Sequence, residues 1–208
     1  MTLPNPIIHV VDDDESLRTA VTRLLRAAGY EVRSYPSAGE FLLARPTNTP
    51  GCVILDVRMP GPSGLDLQDA FHERNDSLPI IFLTGHGDIP MGVRAIKAGA
   101  VDFLTKPVPR QVLLKAVENA LARDRESRKA RDQDGCLRVC LETLTPRERT
   151  VFTLVVAGKA NKQIATELGT SERTVKAHRA QVMEKMQVTS LAELVRVADR
   201  LQAHSPTR

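Results

Sequence analysis

Along roughly the first 120 residues, short apolar runs alternate with stretches whose apolar positions recur every three or four residues, the pattern of strands and helices taken in turn. The runs predict strands at Ile7–Val11, Glu31–Tyr35, Cys52–Leu55, Ile80–Leu83 and Phe103–Thr105. Leu17, Ala20, Val21, Leu24, Leu25 and Ala28 line one face of a helix that Gly29 stops. Leu113, Ala116, Val117, Ala120 and Leu121 line another. Five strands and five helices in this length predict an α/β fold, a doubly wound five-stranded parallel sheet.

The pattern then changes twice. Nine of the twelve residues from Arg123 to Asp134 are charged, five basic and four acidic. Asp124 and Arg128 stand four apart, as do Arg128 and Asp132, the spacing of helix-supporting pairs. The stretch reads as a solvated helix extending the preceding one, without the apolar seam of a coiled coil and with Gly135 as a candidate interruption. Leu137, Leu141 and Leu144 form a short apolar stripe beyond it. The remainder reads as all-helical. Thr145-Pro-Arg-Glu148 and Ser190-Leu-Ala-Glu193 are capping boxes, and helical stretches at Lys162–Leu168 and Glu172–Met186 are separated by Gly169-Thr-Ser171. The expected organisation is a first domain over 1–122, a charged helical linker over 123–140 and an all-α helix-turn-helix domain over 141–208.

Charge sharpens this division. The 208 residues carry a net +4; residues 144 onward hold 11 Lys/Arg against 6 Asp/Glu, a balance of +5, and residues 1–143 hold 18 against 19, a balance of −1. A near-neutral first part joined to a basic second part points to a polyanion partner for the second. Composition is ordinary for a globular protein, at 42% hydrophobic and 26% charged. No apolar run approaches the ~20 residues of a membrane helix, and the N-terminus lacks the pattern of a signal peptide. The three cysteines, Cys52, Cys136 and Cys140, are sparse and odd in number, which fits a reducing cytoplasm. Cys136 and Cys140 share a helix face without completing a zinc set, and read as packing residues.

Candidate chemistry lies at the strand ends. Asp12, Asp13 and Asp14 follow the first strand, Asp56 ends the third, Thr84 the fourth, and Lys106 follows the fifth. Ligands of an open parallel sheet bind beyond the carboxyl ends of its strands, so these segments converge on one crevice. Singly, each aspartate reads as a cap or turn residue. Together they form a cluster of repelling carboxylates that needs a cation, for which oxygen-seeking Mg²⁺ is suited, with Lys106 supplying further positive charge. That arrangement suits phosphoryl transfer to a carboxylate. Asp56 is the candidate nucleophile, Asp13 and Asp56 ligate the metal, Asp12 assists directly or through water, and Thr84 donates to the phosphoryl group.

The segments Val10-Val-Asp-Asp-Asp14, Ile54-Leu-Asp-Val-Arg-Met-Pro-Gly61, Thr84-Gly-His-Gly87 and Gly99-Ala-Val-Asp-Phe-Leu-Thr-Lys-Pro107 resemble the receiver domain of two-component response regulators over residues 7–122. The stretch Thr84–Met91 is similar to the FixJ subgroup. The resemblance implies a flavodoxin-like receiver with Asp56 as phosphoacceptor and Asp12 and Asp13 as the acid pair. It also implies that the Arg58 backbone carbonyl completes the metal site, that Thr84 and Phe103 form a switch, and that Lys106 is the characteristic lysine. His86 reads as a loop residue shaping that switch. The dimer surface of the family maps to about 90–98 and 102–122. Val108 departs from the phenylalanine that FixJ relatives often carry.

In the second part, Ile164, Ala165, Leu168, Val175 and Val182 fit the buried positions of a helix-turn-helix, so that Arg173, Lys176 and Ala177 project outward toward a major groove and Arg179 lies less clearly outward, near phosphates. Leu144-Thr-Pro-Arg-Glu-Arg149, Ala157–Ala165 and Ser171–Arg179 resemble the LuxR/NarL-type DNA-binding domain. The candidate DNA-contacting set is Lys162, Arg173, Thr174, Lys176, Ala177 and Arg179. The two resemblances imply a cytoplasmic regulator that is not an enzyme. A sensor histidine kinase phosphorylates it; it then dimerises, binds duplex promoter DNA and works with RNA polymerase. Two rivals fit less well. A dehalogenase-type hydrolase would carry a second acid at position 58, where this chain has Arg. A receiver whose helical tail binds protein or RNA would lack the steep salt dependence of duplex binding.

Overall fold

The structure, a computed structural model, describes residues 5–45, 48–74, 76–85 and 88–203. The chain forms two compact units that divide between Arg128 and Lys129.

The first unit is built on five strands: β1 (Ile7–Val11), β2 (Glu31–Tyr35), β3 (Gly51–Leu55), β4 (Ile80–Thr84) and β5 (Asp102–Thr105). All pair in parallel, in the order β2-β1-β3-β4-β5. The helices between them are α1 (Glu15–Ala27), α2 (Ala38–Ala44), α3 (Gly64–Glu73) and α4 (Ile89–Lys97), followed by α5 (Arg110–Glu142). Burial on both faces explains the continuous apolar runs of β1, β3 and β4. On one face Ile8, Val10, Cys52, Ile54, Ile81 and Leu83 pack with Val21 and Leu25 of α1 and Leu113, Val117 and Ala120 of α5. On the other, Val53, Leu55 and Phe82 pack with Phe41 of α2, Leu67 and Phe71 of α3 and Ala95 of α4. The predicted strands are all present, with β3 and β5 starting one residue earlier and β4 ending one later.

The second unit consists of the last part of α5, then α6 (Pro146–Val156), α7 (Asn161–Leu168), α8 (Glu172–Lys185) and α9 (Leu191–Ala203). Val151, Ile164, Val175, Val182, Met186 and Leu194 form its core, with Leu168 packed against it. Gly169 ends α7 in the left-handed region at φ 62°, a conformation open to glycine, and so turns the chain into α8.

Three local readings are corrected. Gly135 does not interrupt α5, which runs unbroken through it; one glycine costs a helix only about 1 kcal/mol, which flanking packing offsets. The charged stretch is not simply solvated. Asp124 is 1% exposed, accepts from the Gly51 N–H at 3.0 Å and pairs with Arg128 at 2.8 Å. Arg128 in turn donates to the carbonyls of Asn48 and Thr49. Cys136 is exposed, whereas Cys140 packs on the core. The Thr145–Glu148 capping box forms in full. Only half of the Ser190 box does: Ser190 caps Glu193 N–H, but the Glu193 carboxylate accepts from Thr189.

Candidate functional site

The parallel register sets the acidic site. Val11 of β1 lies opposite Leu55 of β3, so Asp12 and Asp56 emerge side by side at the carboxyl edge. The Asp56 N–H donates to the Val11 carbonyl at 2.9 Å. Asp14 caps α1 by accepting from the Ser16 and Leu17 N–H groups, which leaves Asp12 and Asp13 to face the crevice. Carboxylate oxygens of Asp12, Asp13 and Asp56 lie within 4.8 Å of one another. Asp12 and Asp56 are 3% and 7% exposed, and Asp13 is open to solvent.

Lys106 binds this cluster together. Its Nζ donates to Asp12 Oδ2 at 2.7 Å and to Asp56 Oδ2 at 2.6 Å. Burial works against the ammonium, but the two carboxylates outweigh it and hold the Lys106 pKa above its ordinary value. Burial raises the Asp12 pKa, with the Asp56 charge adding to the rise and the Lys106 and Asp14 hydrogen bonds opposing it. Three carboxylates and one ammonium leave two negative charges, all on oxygen donors. That donor set fits a hard divalent cation such as Mg²⁺, and an acidic pocket of this kind is where receiver domains generally bind it.

Thr84 is fully buried at the end of β4 and pairs in register with Thr105, and its carbonyl accepts from the Lys106 N–H at 2.9 Å. Phe103 is half-buried; its ring lies 6.0 Å from that of Phe82, against the α2/α3/α4 side of the core. Arg58 is exposed, and its N–H donates to Asp56 Oδ1 at 3.2 Å. His86 lies outside the described residues.

Sequence reasoning missed two supports. Arg18 of α1 donates from Nη1 to the Asp12 carbonyl at 2.6 Å; its place one turn into a helix that follows the aspartates was the available signal. At the start of α3 the Gly64 N–H donates to the Val57 carbonyl. A Cβ at Gly64 would lie 2.2 Å from the Asp56 carbonyl oxygen, so the site needs a glycine there. Nothing local in the sequence marks that approach.

In the second unit, Arg173, Thr174, Lys176 and Ala177 are exposed on α8, opposite the buried Val175 and Val182, and Lys162 is exposed on α7. The Thr174 hydroxyl lies 2.9 Å from that of Ser171, which caps α8. Arg179 differs from these: it is half-buried and donates to Asn161 Oδ1 at 2.7 Å.

An acidic crevice on a β2-β1-β3-β4-β5 parallel sheet, followed by a helix-turn-helix with basic exposed positions, defines a receiver joined to a DNA-binding module. Residues 8–118 match the response regulator receiver domain, and residues 142–198 match the luxR family of bacterial regulatory proteins. The chain belongs to the LuxR-type response regulators, and it is a transcriptional regulator that takes its signal from a kinase and binds DNA. It is 50% identical to nodulation protein W of Bradyrhizobium diazoefficiens over 94% of this chain and 86% of that protein. It is 46% identical to the response regulator TodT of Pseudomonas putida over 94% and 86%. Among solved structures it resembles the response regulator StyR, with a TM-score of 0.81 and 47% identity over 95% of this chain and 100% of that one. Full-length FixJ from B. japonicum gives a TM-score of 0.58 and 40% identity over 98% and 100%. Among the described residues, no helix is long and apolar enough to cross a membrane.

Proposed function

We propose that Asp56 accepts the phosphoryl group and that its modification makes residues 141–208 bind promoter DNA as a pair. In this reading residues 1–122 are the receiver, 123–140 the linker and 141–208 the DNA-binding domain. The observation that carries it is the Lys106 ammonium bridging Asp12 and Asp56 beside the exposed Asp13.

Asp12, Asp13 and Asp56, with the Arg58 carbonyl, would hold Mg²⁺. When bound, that ion offsets negative charge on the oxygens being transferred. The Asp56 carboxylate is the nucleophile, and a sensor histidine kinase supplies the phosphoryl group. Lys106, already at hydrogen-bond distance from Asp56, offsets the charge of about −1.5 to −2 that a phosphoryl group adds. The Thr84 hydroxyl donates to the phosphoryl oxygens, and Phe103, half-buried before the change, follows Thr84 inward.

The face formed by α4 and α5 then pairs with a second copy. Ile89, Val93, Ile96 and Val112 are large apolar residues exposed there, which supports the reading. Two helix-turn-helix units address two half-sites. Arg173, Thr174, Lys176 and Ala177 face the groove, while Lys162 and Arg179 meet phosphates. RNA polymerase is the downstream partner, in the cytoplasm. Acetyl phosphate with Mg²⁺ labels the wild-type chain and fails to label Asp56→Asn; persistent labelling of that variant would remove the assignment.

A further inference from the structure

Asn161, the first residue of α7, has no part in the chemistry assigned so far. Its Oδ1 accepts from Arg179 Nη1 at 2.7 Å, tying the first turn of α7 to the middle of α8. Arg179 lies on the flank of α8, between the buried line of Val175 and Val182 and the exposed line of Arg173 and Ala177. A guanidinium has five N–H donors in a rigid plane, and Asn161 takes one of them. The bond therefore fixes the orientation of the plane and leaves donors for a second acceptor.

The flank position selects which acceptor. Residues on the outermost line of a recognition helix reach base edges, whereas residues on its flank meet the sugar-phosphate backbone at the groove edge. Lys162 follows Asn161 in the chain and is exposed, so a second cation stands at the same end of α7. An arginine ordered before DNA arrives loses less side-chain freedom on binding than a free one.

We propose that Asn161 is a positioning residue for DNA binding: it holds the Arg179 guanidinium ready for one phosphate of the duplex. The proposal rests on the reading of α8 as the groove-facing helix. Arg179 makes the contact; Asn161 touches no DNA and acts through Arg179.

The test is a double-mutant cycle on the full chain, with acetyl phosphate and Mg²⁺ present. The probe is a duplex of about 30 base pairs selected from a random pool by the wild-type protein, long enough for two half-sites a helical turn apart. Arg179→Met keeps the alkyl stem for packing and removes the charge. It lowers affinity about tenfold and reduces the slope of log affinity against log salt by about 0.9, the signature of one lost phosphate contact. Asn161→Ala lowers affinity about threefold in the wild-type background and has no effect in the Arg179→Met background, as expected of a residue acting through another. Circular dichroism of each variant matches wild type. An unchanged salt slope in Arg179→Met would remove the phosphate contact itself. A normal Arg179→Met result with an Asn161→Ala loss of equal size in both backgrounds would keep that contact and overturn the role of Asn161.

Discussion

Lys106 and Asp56 come from strands that are not neighbours, since β4 lies between β3 and β5, yet Nζ of the one meets Oδ2 of the other at 2.6 Å. The same Nζ holds Asp12. The lysine occupies the place where a cation relieves carboxylate repulsion, so it competes electrostatically with any bound metal ion. Lys106→Met is expected to tighten Mg²⁺ binding about tenfold, as a nearby positive charge is removed, while slowing phosphoryl transfer. Isothermal titration calorimetry with MgCl₂ reads the first effect. Affinity equal to or weaker than wild type would mean that the lysine organises the site rather than opposing the metal.

Gly64 tests how tightly the start of α3 is pressed against the phosphoacceptor. A methyl group there collides with backbone, the carbonyl of Asp56, which has no rotamer to move. Gly64→Ala should destabilise the first unit by about 2–3 kcal/mol, the range of overpacking in a closed site, and lower the initial rate of labelling by acetyl phosphate. Wild-type stability with a wild-type rate would show that the α3 start can shift freely.

His9 gives the first unit a pH dependence. It is 2% exposed, packs against the rings of Tyr35 and Phe41, and its Nδ1 lies 3.1 Å from the Tyr35 hydroxyl. Burial, with the charges of Arg45 and Arg33 adding to it, lowers its pKa from 6.5 to about 4. The unfolded chain therefore binds the proton more readily. The stability from neutral His9 is complete above pH 6.5 and is lost as pH falls from there toward 4, by about 3 kcal/mol in all. Both tyrosines, Tyr30 and Tyr35, lie in the first unit and the chain has no tryptophan, so tyrosine fluorescence during urea unfolding reports that unit alone. The double variant His9→Phe, Tyr35→Phe should flatten the profile across this window; an unaltered slope would place the titration elsewhere.

Arg128 and Asp124 make a buried network with the chain entering β3. Removing the arginine leaves a nearly inaccessible carboxylate with one N–H donor, from Gly51. Arg128→Ala should cost about 3 kcal/mol, as for a broken buried pair, on the same fluorescence readout. Lys115→Ala, which removes an ion pair whose side chains are mostly exposed, should leave the midpoint in place.

These residues also mark where sequence reasoning ends. The strands, the convergence of Asp12, Asp56 and Lys106, and the buried positions of the helix-turn-helix were all legible, because periodicity and the parallel-sheet rule fix them locally. Arg179 was legible only as an ambiguous flank position, since its partner Asn161 lies 18 residues away. Asp124 was misjudged for the same reason: its i,i+4 partner is visible in the chain, whereas Gly51, 73 residues earlier, is not. Gly64 carries no local signal of its approach to Asp56. Contacts that depend on how distant segments meet are the ones that pattern does not contain.

The coupling of the two units is best measured by promoter occupancy as a function of the state of Asp56. Fluorescence anisotropy of a duplex selected by the protein, with and without acetyl phosphate and Mg²⁺, compares wild type with Asp56→Asn. Tight binding of phosphorylated wild type, with weak and phosphodonor-independent binding by Asp56→Asn, is the predicted result. Equal occupancy by wild type under both conditions, matched by the variant, would contradict it.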